Sequence, residues 1–341
     1  LDLVEATLAG NRRGIARLIT LIENERPEAQ DAMAQLYPHT GGAHIIGVTG
    51  APGTGKSTLV NELAKAYRTE DHRVGVVAVD ASSPFSGGAI LGDRVRMRDL
   101  SLDPQVFVRS MATRGRVGGL AWHTADAVNV LDAAGYDIIL VETVGTGQVE
   151  VDIAQMSHTV VVVDVPGLGD DIQAMKAGIL EIADVFAVNK ADREGADHTA
   201  SALNMMLDLG QHNASCRQFR LGPLGQWMLD HLEPIDTTPP DTTDQTWQPP
   251  IVKTIAIQSS GIAELKQAIN DFRCFLHQSG QWELRDRLRL ISEVEHIIRE
   301  KIVDQLLTQH TPEKIGDLIR EVIDRRLAPS AAAQQLVNNL S

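Results

Sequence analysis

The chain has 341 residues, 43% hydrophobic and 22% charged, the usage of a globular protein long enough for one large domain with extensions. Its 31 basic and 45 acidic residues give a formal charge of −14, which excludes a general attraction for nucleic acid or an anionic membrane surface, so any polyanion must be held by a local device. Cys216 and Cys274 form no CxxC pair and support neither a disulfide framework nor a cysteine zinc site; with no apolar run of about 18 residues and no basic-then-apolar leader, the expectation is a cytoplasmic protein without a membrane span.

Residues 1–43 read as a helical arm, because Leu18, Ile19 and Ile22 repeat at helical spacing after Asn11, a suitable N-cap, and Pro27 opens a following helix. From 44 to 279, short apolar runs alternate with amphipathic stretches of helix length. This predicts an α/β fold with a mainly parallel central sheet. Strands are expected at 44–49, 74–80, 105–110, 137–142, 159–164, 185–189 and 251–256, several ending in a polar residue at the edge where open α/β sheets bind ligands. A Pro/Thr/Asp-rich stretch within 211–250 reads as a loop insertion. Residues 280–341 read as a helical extension, in which Leu284, Leu288, Ile291, Val294, Ile298, Ile302 and Leu306 form one stripe. That stripe fits packing on its own domain and a subunit interface equally well.

Gly50, Ala51, Pro52, Gly53, Thr54, Gly55, Lys56 and Ser57 satisfy GxxxxGK[ST] between a strand and a helix, with Thr58 next in the helix. Glycines let backbone N–H groups turn inward around phosphate oxygens, Lys56 reaches the β and γ phosphates, and the Ser57 hydroxyl ligates magnesium. Asn189, Lys190 and Asp192 form NKxD at a strand end. A carboxylate there accepts from guanine N1–H and the exocyclic amine, a donor pair that adenine lacks, so after a P-loop the motif selects GTP. The last strand leads into Ile255, Ala256 and Ile257, where the Ala256 N–H is placed to meet guanine O6.

Glu142 ends a strand in Glu-Thr-Val-Gly145, an arrangement whose carboxylate organises the magnesium shell and whose glycine N–H meets the γ-phosphate. Thr146 stands where many GTPases place a water-positioning glutamine, and the nearest glutamine is Gln148; unaided hydrolysis should be slow. Asp80 ends the second strand and Asp93 lies in a Gly-rich segment able to deliver it to the metal. Arg94, Arg96 and Arg109 are left outside the catalytic set. Asp170, Asp171 and Lys176 sit at a helix start, where acids are ordinarily dipole partners.

The series GAPGTGKST, VDASSPFSGGAILGDRVRM, RSMATRGRVGGLA, ETVGTGQVE, PGLGDDIQAMKAGILEIAD and NKAD resembles the MeaB/ArgK-type G-protein chaperones, relatives of the methylmalonic aciduria type A protein. The resemblance implies a SIMIBI-class P-loop fold, GTP or GDP with Mg2+, a homodimer held through C-terminal helices, and an adenosylcobalamin-dependent acyl-CoA mutase as partner. It implies gating of cofactor loading and protection or reactivation of a methylmalonyl-CoA mutase. By matching motifs it assigns Lys56, Ser57, Asp80, Asp93 and Glu142 to phosphate, metal and hydrolysis, Asp192 to guanine, and Gln148, Asp170, Asp171 and Lys176 to nucleotide-sensitive, partner-coupled switches. Ile255 replaces a serine of the family's guanine loop, and residues 211–250 exceed the family pattern. No DxHxxG stretch occurs, so no cobalamin site of its own is expected. Two alternatives share the fold: a transport-system kinase, which requires ATP and an acceptor pocket, and a metallochaperone GTPase, which requires clustered Cys and His ligands.

Overall fold

Seven apolar runs become seven parallel strands in the computed structural model, which describes residues 2–80, 99–112, 122–143, 149–167, 181–209, 221–233 and 246–338. The strands are β1 (His44–Gly50), β2 (Val74–Asp80), β3 (Val106–Ala112), β4 (Ile138–Thr143), β5 (Thr159–Asp164), β6 (Val185–Val188) and β7 (Ile251–Lys253). They form one sheet in the order β3-β2-β4-β1-β5-β6-β7. The chain runs from β1 towards one edge and later returns past it towards the other, so the switch point lies at the carboxyl end of β1.

Both faces are covered, which explains the unbroken Val and Ile runs. One face carries α4 (Lys56–Arg68) and α9 (Ile262–Gln278), whose Leu59, Leu63, Leu265 and Ile269 meet Ile46, Val48, Leu140 and Val163. The other carries α2 (Arg12–Glu23), α3 (Pro27–Leu36), α5 (Trp122–Ala133) and α6 (Val149–Met156), while α7 (Ala196–Leu209) covers β5 and β6.

The N-terminal helices, beginning with α1 (Leu3–Leu8), are part of this core. Asn11 caps α2, its side-chain oxygen accepting from the Arg13 and Gly14 amides at 3.0 and 3.1 Å. Ile15, Leu18, Ile19 and Ile22 of α2 are buried in the cluster that contains Ile45, Val77 and Ile139, each such side chain contributing about 1.5–3 kcal/mol. Where the arm enters β1, the Asp132 carboxylate accepts from the amides of Gly41, Gly42 and Ala43.

Three local expectations change. The last strand stops at Lys253, because Thr254 still donates to Val188 O but Ile255 pairs with Ser260 and the chain closes into a 3-10 turn. The stretch 211–250 is not loop throughout. Pro223 opens α8 (Pro223–Asp230), anchored where the Gly222 amide donates to buried Glu295 at 2.9 Å. The C-terminal stripe divides along α10 (Gln281–Gln309), a helix of 29 residues and about 43 Å. Leu288 and Ile291 are buried against the domain and Leu306 is half-buried, whereas Val294 and Ile302 are exposed, as are Leu307, outside the stripe, and Ile319 and Ile323 of α11 (Pro312–Ile323), which precedes α12 (Pro329–Val337). No helix among the described residues is long and apolar enough to cross a membrane.

Asp126 of α5 faces Glu293 of α10, and burial followed by that like charge pushes its carboxyl up to about 7. A carboxyl whose folded pKa lies above its unfolded value near 3.8 contributes stability at low pH that is lost as pH rises through about 7. Asp126→Asn is therefore expected to raise Tm at pH 8, by about 3 °C or more, and to leave it nearly unchanged at pH 4. Thermal melts at the two pH values check this.

Candidate nucleotide site

The loop after β1 can form only with glycine at its ends. Gly50 has φ +142°, and a Cβ there would lie 2.1 Å from Val163 O of the neighbouring strand; at Gly55, φ +91°, it would lie 2.6 Å from Asn189 Nδ2. These are close approaches of backbone to backbone and of backbone to side chain, so the spacing of the motif is a packing requirement. Pro52 and Gly53 form the exposed tip. Helix α4 then begins with Gly55 as N-cap and no side-chain cap, which leaves its first amides and positive end for an anion.

Side-chain donors, two from the motif itself and two from the NKxD segment, hold the carbonyls of this loop. Lys56 Nζ, buried, donates to Gly50 O at 2.8 Å and Ala51 O at 2.9 Å. Asn189 Nδ2 donates to Thr54 O at 2.8 Å, and Lys190 Nζ to Gly53 O at 2.6 Å. The Thr54 hydroxyl donates to Ala51 O at 2.9 Å.

Asn189 joins both halves of the site. Its amide takes the P-loop carbonyl, while its Oδ1 accepts from the Thr254 hydroxyl at 3.2 Å and the Ala256 amide at 3.1 Å. The Ala256 N–H, expected to meet guanine O6, is held by the asparagine in this conformation. The Ala191 amide donates to Thr254 O, fastening the two base loops together. Asp192 is exposed beyond them, Ile255 is half-buried and the Ile257 side chain is 79% exposed. Ser259 Oγ donates to Glu62 of α4 at 2.7 Å, and three such donors hold the Glu62 carboxyl below its usual range against the opposing effect of burial.

On the α4 face, Ser57 Oγ donates to Glu142 Oε1 at 2.5 Å, both residues being buried. A hydroxyl and a carboxylate are the hard oxygen donors that a magnesium shell uses, so the residues present fit the ion. Thr58 lies beside Ser57 in the first turn of α4. The backbone of Asp80 ends β2, next to β4, but its side chain and the whole of Asp93, Gly145, Gln148, Asp170, Asp171 and Lys176 lie outside the described residues.

Arg109 is engaged by the N-terminal helices, donating to Glu23 and to the Thr20 hydroxyl. Two features were not anticipated. Asp164 ends β5 beside the P-loop strand, its carboxyl raised by burial and its Oδ1 accepting from the Val165 amide at 2.8 Å; a polar strand end was its one signal. Thr49 and Thr143, neighbours in sequence of Gly50 and Glu142, meet through their hydroxyls at 3.1 Å.

A family model described as Methylmalonyl Co-A mutase-associated GTPase MeaB matches residues 15–311. A putative GTPase of Pyrococcus abyssi is 45% identical over 339 residues, covering 99% of this chain and 96% of its own. The GTPase ArgK of Escherichia coli is 30% identical, with 97% and 96% covered. The mitochondrial methylmalonic aciduria type A homolog of Mus musculus is 30% identical over 86% of this chain and 64% of its own. A crystal structure of a LAO/AO transport system kinase superposes with a TM-score of 0.66 at 23% identity, covering 99% and 96%, a likeness of fold.

Removing the Asn189 side chain leaves Thr54 O without this donor and frees the Ala256 amide. Asn189→Ala is expected to weaken guanine-nucleotide binding by about tenfold or more, a larger effect than Lys190→Ala, whose ammonium is exposed. Titration with a fluorescent guanine nucleotide checks the ranking.

Proposed function

The chain belongs to the MeaB family of P-loop GTPases, and from that membership we propose that it couples magnesium-dependent GTP hydrolysis to the care of an adenosylcobalamin-dependent acyl-CoA mutase. The observation that carries the guanine half of this reading is the fastening of Asn189 and Lys190 to the P-loop carbonyls. A base-selective motif built into the wall of the phosphate loop makes base identity and phosphate grip one structure, with Asp192 left exposed for the ring donors.

In this reading the backbone N–H groups of the loop, to which Pro52 contributes none, and the start of α4 hold the phosphates. Lys56, two of whose three ammonium donors hold the Gly50 and Ala51 carbonyls, reaches β and γ oxygens when nucleotide enters. Ser57 and Glu142 hold magnesium, with Asp80 and Asp93 completing that set, and the ion, when bound, neutralises charge that builds on the transferring phosphate oxygens. Gly145 contacts the γ-phosphate and Gln148 belongs to the segment that senses it. With Thr146 in place of a water-positioning glutamine, turnover is slow alone and rises with a partner.

The partner is proposed from the family description, which names an association with methylmalonyl-CoA mutase. The role is to gate loading of the mutase with cobalamin and to protect or reactivate it, without a cobalamin site in this chain. Asp170, Asp171 and Lys176 are the proposed coupling segment, and the exposed stripe of α10 and α11 the proposed dimer contact, in a cytoplasmic protein.

Hydrolysis of GTP, with ATP as control, is to be measured alone and with each acyl-CoA mutase of the source organism. GTP-selective turnover, raised at least severalfold by one mutase, is expected. Indifference to every mutase would remove the chaperone reading and leave the GTPase. Asp192→Asn is expected to lower the preference for GTP over ATP by about tenfold or more, since it replaces a charged acceptor by a neutral amide.

A further inference from the structure

Glu142 and Thr143 point to opposite faces of the sheet. Glu142 shares the α4 face with Val48, its register partner on β1, and with Ala78 on β2. On the other face, the next row across the sheet runs Met111, Val79, Thr143, Thr49, Val162. Its outer members are apolar, and both central threonines are completely buried. Valine has the same shape and already fills most neighbouring strand positions. A buried hydroxyl is costly unless bonded, and a bonded one contributes only about 1 kcal/mol, so stability gives little reason for threonine at both positions.

The place of the pair gives another. The paired register of β1 with β4 extends to Val48 and Glu142, and the hydroxyl contact ties the two strands one residue beyond it. Thr49 precedes Gly50, whose carbonyl receives Lys56, and Thr143 follows Glu142, which receives Ser57. The contact therefore fixes the separation of two strand ends on which the phosphate loop and the magnesium carboxylate are mounted.

We infer that the Thr49–Thr143 hydroxyl pair is a positioning device that sets Glu142 relative to Ser57 and the phosphate loop, acting from the opposite face of the sheet. The inference rests on the reading of Glu142 and Ser57 as the magnesium side of the site. The pair touches neither nucleotide nor metal; it removes the lateral freedom of the end of β4, so that the carboxylate waits at its working position.

Thr143→Val and Thr49→Val preserve shape but strand the partner hydroxyl and are expected to lower Tm by a few degrees, whereas the double valine variant is expected to keep it within about 3 °C of the parent. The first readout is Mg2+ titration of the affinity for a fluorescent GDP analogue; the second is GTP hydrolysis. Thr143→Val is expected to move the Mg2+ midpoint upward by about fivefold and to lower kcat similarly, with metal-free nucleotide affinity unchanged. Thr143→Ser should restore both, and the double valine variant should be no worse than either single one, because both lose the same contact. Glu142→Gln separates the two levels. If it abolishes the Mg2+ dependence while the valine variants titrate like the parent, the positioning role is overturned and the magnesium reading stands. If Glu142→Gln leaves the Mg2+ dependence intact, the magnesium reading fails and the inference with it. A fall in Tm with unmoved Mg2+ midpoints would reduce the pair to a structural contact and overturn the inference.

Discussion

The phosphate loop holds its shape because its carbonyls are taken. Four of them, at Gly50, Ala51, Gly53 and Thr54, accept from Lys56, Asn189, Lys190 or the Thr54 hydroxyl. A peptide group whose carbonyl is fixed has its N–H fixed on the other side, so the contacts at Gly50 O and Thr54 O orient the Ala51 and Gly55 amides, while Pro52 has no N–H and the Thr54 amide donates to Ala51 O. This constraint explains how a chain of charge −14 can hold a nucleotide: the attraction comes from oriented backbone dipoles and one buried ammonium, at a scale where net charge has little influence. It also makes the base motif part of the phosphate site, since two of the four residues that orient the loop are Asn189 and Lys190.

The sheet divides the work between its two edges. At the carboxyl edge, polar groups end the strands and much of the described geometry rests on single hydrogen bonds. At the amino edge the contacts are dense and buried. Arg285 of α10 pairs with Asp184 at 3.1 Å and donates to His158 O, while Asp184 also accepts from the Val160 amide. The ring of His158 accepts the Ile45 amide at Nδ1, which places its proton on Nε2 facing Asp286, and burial lowers its pKa to about 4. Trp282 lies against that ring, 4.2 Å between centroids. A buried ion pair of this kind repays little of its desolvation as stability, but it fixes α10 to the starts of β5 and β6.

Strand positions were legible because each apolar run is local information: the runs at 74–80 and 159–164 became β2 and β5 without change. Asn11 and Pro27 were legible as helix starts for the same reason, since a cap acts within three residues. What escaped reading depends on residues far apart. The helix at 223–230 is anchored by Glu295, more than sixty residues later, and sits in a Pro/Thr/Asp-rich stretch whose composition resembles loop. Lys253 ends β7 because the backbone turns to pair Ile255 with Ser260, and three residues of strand carry too weak an alternation to mark that stop.

The candidate site divides along the same line. The glycines of the P-loop announce themselves, because Gly50 and Gly55 allow approaches that a side chain would block and Gly53 takes a positive φ, and Ser57 follows from their spacing. Glu142 was legible as an acid at a strand end, one residue before β4 stops at Thr143, and it accepts from Ser57. The second function of Asn189 was not legible, because nothing in NKxD names Thr54 as its target, 135 residues earlier. Nor was the threonine pair, since threonine at a strand end is ordinary and the two positions are 94 residues apart. Motifs record what a ligand requires of one segment. The cross-strand contacts that hold those segments in relation are recorded only in the register of the sheet, and it is register that brings Thr49 to Thr143 and Glu142 to the helix that follows β1.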